Sequence, residues 1–397
     1  MTFVGPENAE QARLLRLLRD DGPRSRVELG DALGLSRARL TAEVDRLAAQ
    51  GLVETAGPAA SRGGRRSSLL RVAAQVRFAG VAIGPAEVDV ALTDGELTVL
   101  ARRREPVGPR LGPEATIART LELLGKVRAE LGLGRLSGVG VGLPAPVSFR
   151  DGVPVSPPAL PGWHGFGVRD VLAAELGCPV LVDNDANVMA LGEQHAGTGR
   201  AFDDFLYLKL GTAIGCGMVL GGTLHRGATS GAGGIAHLRL GEGDGDGPLC
   251  GCGESGCLEA YCGDDALVRE AMAAAEAGRS PALAARVAEA GGLTVADVAR
   301  ATTAGDPAAQ ALVRGAARQV AHVLVGLVNF VNPGIVIIGG TAPGVGPTML
   351  AEIRSVVYRR SPPLATGSLP IVLSDLGDRA GVVGAARLAS DHVFAAP

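Results

Sequence analysis

The chain has 397 residues, too many for one ordinary domain, so two or three are expected. Hydrophobic residues make up 47% of it, ample for buried cores, yet no run of about 18 apolar residues is uninterrupted, so no membrane span is expected. The net charge of −3 is unevenly spread: residues 1–75 hold 12 arginines, no lysine and nine carboxylates, a mildly basic piece on an acidic body.

The opening MTFVGPENAEQARLLRLLRD lacks the basic-then-apolar order of a secretory leader. A cytoplasmic protein is therefore expected, and in that compartment stable disulfides are uncommon. Residues 7–21 place Ala9, Ala12, Leu14, Leu15, Leu17 and Leu18 on one helix face, and Gly22-Pro23 stops that helix. Residues 25–34 read as a short second helix with Val27, Leu29, Ala32 and Leu33 turned inward. Gly34-Leu35 makes a tight turn, and Ser36 caps a third helix whose buried stripe is Leu40, Val44 and Leu47. GLVETAGPAASRGGRRSSLLRV then reads as two strands around a flexible tip carrying Arg62, Arg65 and Arg66.

That order resembles a winged helix-turn-helix, in which the third helix is expected to enter the major groove of double-stranded DNA while the wing lies on phosphates. Ser36, Arg37, Ala38, Arg39 and Thr41 form the face that meets DNA. The plainer alternative is a small helical dimerisation module with a solvated basic loop; the agreement of turn, cap and basic wing favours DNA.

Further along, apolar strands such as LSGVGVGL, PVLVDND, DFLYLKLG and GIVIIGG alternate with helical stretches at 114–131 and 307–329, the pattern of an α/β body. Alanine-rich 266–289 reads as a further helix. Four of the six cysteines fall in LCGCGESGCLEAYC, residues 249–262. Cys250 and Cys252 are too close for an unstrained disulfide, and glycines 251, 253 and 256 let the chain fold around a point. Three thiolates, Cys250, Cys252 and Cys257, need a fourth ligand for a closed tetrahedral zinc site. His237, on an apparent strand in GGIAHLRLG, is the best candidate; Cys262 is a possible substitute, although its offset suits a following helix. Four protein ligands leave no open position, so the zinc (Zn2+) is expected to be structural.

CGCGESGCLE with a histidine 13 positions upstream resembles the signature of the ROK family (repressors, open reading frames and sugar kinases). From about residue 76 onward other segments fall in that family's order. GVAIGPAEVDVALTD resembles its first phosphate hairpin and VGLPAPV the small loop beside the sugar. VDNDANVMALGE resembles its catalytic loop, LKLGTAIGCGMVLGGTLHRGA its second phosphate hairpin, and NPGIVIIGG its adenosine-side strand. With the winged module ahead, the chain looks like a ROK transcriptional regulator. The resemblance implies a two-lobed sugar kinase/actin-type (ribonuclease H-like) fold with a cleft. The expected division is a winged domain at 1–75, a first α/β lobe at 76–192 joined by a C-terminal helix at 379–393, and a second lobe at 193–378 with the zinc and a dimerisation surface.

The resemblance also assigns roles. Asp185 matches the family's general base, Asn184 and Glu259 match sugar contacts, and His237 both binds zinc and faces the sugar. Departures matter equally. The family's aspartate and Gly-Gly-Thr in the first hairpin are replaced around Ala82, Pro85 and Ala86, which removes a carboxylate, a hydroxyl and a backbone donor. Ala213 and Ala145 stand where the family places glycines, and Gly234 where it places a sugar-binding glutamate. These changes imply a lost ATP site and no catalytic residue, with Asp185 a vestigial base. The expected protein is a DNA-binding repressor of carbohydrate genes, working as a homodimer or dimer of dimers under a sugar-like effector held by Asn184, Asp185, His237, Glu259 and Ala145. Two rivals are a sugar kinase with a DNA-binding head and a ligand-independent repressor using the body as a scaffold. Trp163, the single tryptophan, lies in LPGWHGF, which in the family runs near the sugar cleft.

Overall fold

The structure is a computed structural model and describes residues 5–58, 68–108, 111–241, 247–340 and 345–397. The amino-terminal head contains helices Ala9–Asp21, Arg26–Leu33 and Arg37–Ala49. Strands Val53–Pro58 and Ser68–Val72 follow as an antiparallel pair, and Arg24–Ser25 joins them as a third strand. Each helix start is capped by a side chain: Asn8 accepts from the N–H of Gln11, Ser25 from that of Glu28, and Ser36 from that of Arg39. Gly34 supplies the left-handed turn between the second and third helices at φ +67°. Leu14, Leu15, Leu18, Leu29, Leu40, Val44 and Leu47 close the head's core. Ala9, Val27 and Ala32 depart from the sequence reading and are exposed, Val27 by 68%, the latter two because the two-turn helix Arg26–Leu33 turns only Leu29 fully inward. The wing arginines Arg62, Arg65 and Arg66 lie outside the described residues.

Two mixed five-stranded sheets build the body. The first runs Val180–Asn184, Gly138–Leu143, Phe78–Ile83, Glu87–Thr93 and Val99–Pro106, the first three strands parallel and the rest antiparallel. The second runs Thr223–Leu224, Gly215–Leu220, Phe205–Lys209, Ile335–Gly339 and Ile371–Leu373, again with parallel and antiparallel pairs. The 25-residue helix Pro307–Val331 is long and apolar enough to cross a membrane, but Val313, Ala317, Val320, Leu324 and Val328 pack into the core beside the second sheet. The stretch 266–289 is two helices, Asp264–Glu276 and Pro281–Ala290. Gly278 at φ +67° breaks the first, and Ser280 followed by Pro281 starts the second.

Two helices join the sheets. Asp185–Ala196 leaves the last strand of the first sheet and packs Val188, Ala190 and Leu191 against Phe205, Tyr207 and Val219 of the second. The carboxy-terminal helix Ala380–Val393 lies against it. Their backbones touch: a Cβ on Gly384 would stand 1.7 Å from the carbonyl oxygen of Val188. On its other side the same helix meets glycines of the first sheet. A Cβ on Gly80 or Gly140 would come within 1.8 Å of the carbonyls of Val382 and Ala385. The head sits on this helix too, because Ala386, Ala389, Val393 and Phe394 belong to the head's own hydrophobic cluster.

Candidate functional site

The cysteine loop folds back on itself through a bridge between Leu249 and Ser255 and the bond from the Cys250 N–H to the carbonyl of Glu254, 2.8 Å. Gly253 takes φ +95° at the tip, a conformation that any side chain would strain. A second bridge, Arg239 to Cys257, draws the histidine segment alongside. That segment, Ile235–His237, is a short 3-10 turn and not the strand its alternation suggests. The outcome places one ligand atom from each of His237, Cys250, Cys252 and Cys257 within 4.8 Å of the others.

The edges of this tetrahedron can be tested. Zinc–sulfur bonds of about 2.3 Å and zinc–nitrogen bonds of about 2.0 Å at tetrahedral angles require S···S near ~3.8 Å and S···N near ~3.5 Å. Cys252 Sγ and Cys257 Sγ are 3.7 Å apart, and Cys250 Sγ is 3.6 Å from His237 Nδ1. The donor set and its spacing fit a four-coordinate zinc. Burial, followed by the neighbouring sulfurs, pushes the Cys257 thiol up to about 12, a cost that a bound cation offsets by taking the thiolate. Cys262 takes no part; its Sγ donates to the Leu258 carbonyl on the next helix.

Beside the metal group lies a cleft of about 130 Å³, lined among others by Ala145, Asn184, Asp185, Gly234, His237 and Glu259. All five residues expected to touch a ligand therefore share one cavity. Asn184 ends its strand as the cap of helix Asp185–Ala196; its Oδ1 accepts from the Ala186 N–H and its Nδ2 donates to the Ala145 carbonyl, 2.9 Å in each case. Glu259 accepts from the Ile214 N–H at 2.8 Å. His237 presents Nδ1 to the cysteines while the residue lines the cleft. Position 234 is open, since a Cβ there would meet only the Gly231 carbonyl at 3.5 Å. Trp163 is buried against Phe166 and lines an adjoining apolar cavity of about 340 Å³, which meets the first at Ala159.

One residue escaped the sequence reading. Lys209 sets its ammonium 2.7 Å from Asp185 Oδ2, 2.7 Å from the Thr212 carbonyl and 2.9 Å from that of Ala213. Its three N–H donors are thereby used. Ala213 holds φ +60°, so the second hairpin keeps the left-handed bend of a glycine although its residue is alanine. Burial raises the Asp185 carboxyl above its usual range, and Lys209 opposes that rise. A signal was present: Lys209 is one of only two lysines in the chain and sits in an otherwise apolar strand. In the first hairpin, Gly84 spends its N–H on the Glu87 carbonyl and Pro85 has none to offer. Beside the second, Asp264 accepts from the Thr212 hydroxyl at 2.9 Å and lines a third cavity with Asp265 and Glu259.

On the head, Ser36, Arg37, Ala38 and Arg39 are exposed at the start of the third helix and Thr41 is half-buried. Arg39 is tied down within the head, its Nε donating to Glu10 at 2.7 Å.

A winged helix-turn-helix head on a two-lobed body, with a cleft and a metal-ligand group of one histidine and three cysteines, defines the class as a regulator built on a sugar-kinase scaffold. The chain belongs to the ROK family, whose model matches residues 78–392, and the MarR family model matches residues 6–67. It is 27% identical to the xylose repressor of Caldicellulosiruptor bescii over 97% of this chain and 96% of that protein. The structure superposes with a TM-score of 0.81 on a ROK family transcriptional regulator described as a homolog of the E. coli MLC protein, at 22% identity over 97% of this chain and 95% of that one. A ROK family glucokinase from Streptomyces griseus, solved with glucose and AMPPNP, matches at a TM-score of 0.69 and 29% identity, over 79% of this chain and 99% of that one.

Proposed function

We propose that the chain is a sugar-responsive transcriptional repressor that binds operator DNA through its winged head and a sugar-like effector in the cleft, with a structural zinc and no kinase activity. The observation that carries this reading is the match to a xylose repressor through head and body together, where the glucokinase match spans the body alone. The division at 1–75, 76–192 and 193–378 follows, with the helix 379–393 joining the first lobe. The protein works as a dimer, because paired recognition helices read paired half-sites.

The site supports a binder and not an enzyme. A general base needs a carboxylate able to take a proton from the reacting hydroxyl. Asp185, paired with Lys209 at 2.7 Å, still meets that requirement, so the case against an enzyme rests on the phosphate side. Nucleotide phosphates need backbone N–H donors and cations, whereas the first hairpin offers Pro85 and the helix beside the second brings the Asp264 and Asp265 carboxylates. Asn184, Asp185, His237, Glu259 and the Ala145 backbone supply the acceptors and donors that sugar hydroxyls require. His237, Cys250, Cys252 and Cys257 hold the zinc, which fixes one wall of the cleft.

The test is a titration with D-xylose, D-glucose and amino and acidic sugars, followed by Trp163 fluorescence and calorimetry, then repeated with Asp185→Ala. A saturable response lost in the variant is expected, with an altered affinity for DNA from the regulated promoter. ADP release with any sugar, abolished by Asp185→Asn, overturns the non-enzyme reading.

A further inference from the structure

The pocket helix Asp185–Ala196 begins in the cleft and ends on the head. Its 12 residues span about 18 Å. At the pocket end stand Asn184 and Asp185; at the far end His195 Nδ1 lies 3.2 Å from Arg387 Nη1 and 3.5 Å from Asp20 Oδ1. Asp20 is the penultimate residue of the head's first helix, and Arg387 belongs to the carboxy-terminal helix. Three helices, one from the head and two from the body, thus meet at one point.

The joint is ionic: its arginines are largely buried, while the Asp20 and Asp391 side chains stay 35% and 37% exposed. The Arg19 side chain is fully buried, donating to Asp391 at 2.7 Å, to Ser390 Oγ at 3.0 Å and to Asp20 at 2.8 Å. Arg387 donates to Asp20 at 2.8 Å and to Asp391 at 2.9 Å. Two arginines face two carboxylates. An arginine only donates, so His195 accepts through Nδ1 from Arg387 and fixes where that guanidinium lies.

Apolar contact alone, through Phe394, Ala386 and Ala389, would hold the head to the body in a range of positions. A partly buried ionic cluster adds little net stability over such packing, but it accepts only one geometry, because its bonds weaken steeply with distance and angle. The pocket helix supplies one of its members. The helix is stiff and shares a backbone contact with the carboxy-terminal helix at Gly384, so its two ends move together.

We infer that helix Asp185–Ala196 is the mechanical link between cleft and DNA-binding head, and that His195 is the positioning residue at its head end. This rests on the sensor reading for its purpose but not for its test. Amide hydrogen exchange is followed in the full chain on residues 9–21 and 185–196. Removing the pocket-end cap with Asn184→Ala speeds exchange of residues 9–21 by about threefold in the wild-type background. In His195→Leu, which keeps bulk and loses the acceptor, Asn184→Ala no longer reaches the head. His195→Asn, which restores an acceptor at the Nδ1 position, restores transmission. Faster exchange in 185–196 with no change in 9–21 overturns the inference, and so does full transmission through His195→Leu.

Should Asn184→Ala not fold, D-xylose on wild-type protein is the perturbation: a change at 9–21 that is lost in His195→Leu while xylose still binds supports the link, and a change that survives refutes it. Should xylose change nothing, Asn184→Ser, which keeps a cap oxygen but loses the amide bond to Ala145, decides the link by the same readout. Transmission from either cap variant with silence toward every sugar would sink the sugar reading and leave the link standing.

Discussion

One added methyl group, placed at two glycines, should have opposite effects. Gly384 lies where the carboxy-terminal helix meets the pocket helix, and a Cβ there would stand 1.7 Å from the Val188 carbonyl oxygen and 2.7 Å from the Gly192 nitrogen. An unstrained carbon–oxygen contact needs about 3.2 Å or more, so Gly384→Ala must part the two backbones by about 1.5 Å. That opening breaks the packing of a helix whose residues Ala380 to Ala386 are all buried. Overpacking a core costs about 1–3 kcal/mol, and a rigid backbone as the obstacle puts the cost near ~3 kcal/mol. At about 2.1 cal/mol/K per residue, a cooperative body of about 320 residues shifts by roughly 1.5 °C per kcal/mol, so the midpoint falls by roughly 4–5 °C. Gly326 sits on the exposed side of helix Pro307–Val331, where a Cβ would meet nothing within 4 Å. Gly326→Ala should raise stability by about 0.5–1 kcal/mol through the lost freedom of the unfolded chain. Thermal unfolding of both variants is the assay. A Gly384→Ala midpoint within about 2 °C of wild type refutes the backbone contact and, with it, the rigid pairing of these helices.

Purified protein should carry about one zinc per chain by elemental analysis, and Cys257→Ser should lose it; fully folded metal-free protein unaffected by chelator would end that assignment. Arg37→Ala, at the exposed start of the third helix, should weaken binding to any duplex and lower the salt slope by about one, measured by anisotropy. Arg39→Ala should chiefly loosen the head instead, because Arg39 holds Glu10, and an equal loss of DNA affinity in both variants would contradict that distinction. Burial pushes the Asp20 carboxyl up, yet its ion pairs with Arg19 and Arg387 more than offset this and hold it well below the usual range. Its contribution to stability is therefore complete above pH ~4 and is lost as the pH falls through the depressed value. Urea midpoints of wild type and Asp20→Asn should differ most above pH ~4 and converge in stronger acid.

The head was legible because local rules agree there: Asn8, Ser25 and Ser36 cap their helices and Gly34 makes the turn. The metal group was legible because three of its ligands lie within eight residues of sequence. The misreadings have physical causes. Alternation in Ile235-Ala236-His237-Leu238 looks like a strand, but the chain there is bent to meet the cysteine loop. Gly278, Ser280 and Pro281 carried a stop and a start inside 266–289 that alanine content obscured. The joint of Arg19, Asp20, His195, Arg387 and Asp391 was invisible, since charged residues on three remote helices look like ordinary solvated faces until the fold buries them. Lys209 stands out in the sequence as a lone cation in an apolar strand, but only the hairpin that pairs it with Gly215 brings its ammonium to Asp185 and the turn carbonyls.

The head's hydrophobic cluster draws on two remote stretches of the chain, with Leu14 to Leu47 on one side and Ala386 to Phe394 on the other. A ribosome adding about 5–20 residues per second needs roughly 20–70 s to make the intervening stretch. During that interval the first three helices have emerged without the surface that completes them. The helices of the head are synthesised before the helix that seats them, so a nascent chain cannot hold its head against the body until Ala386 to Phe394 have been made.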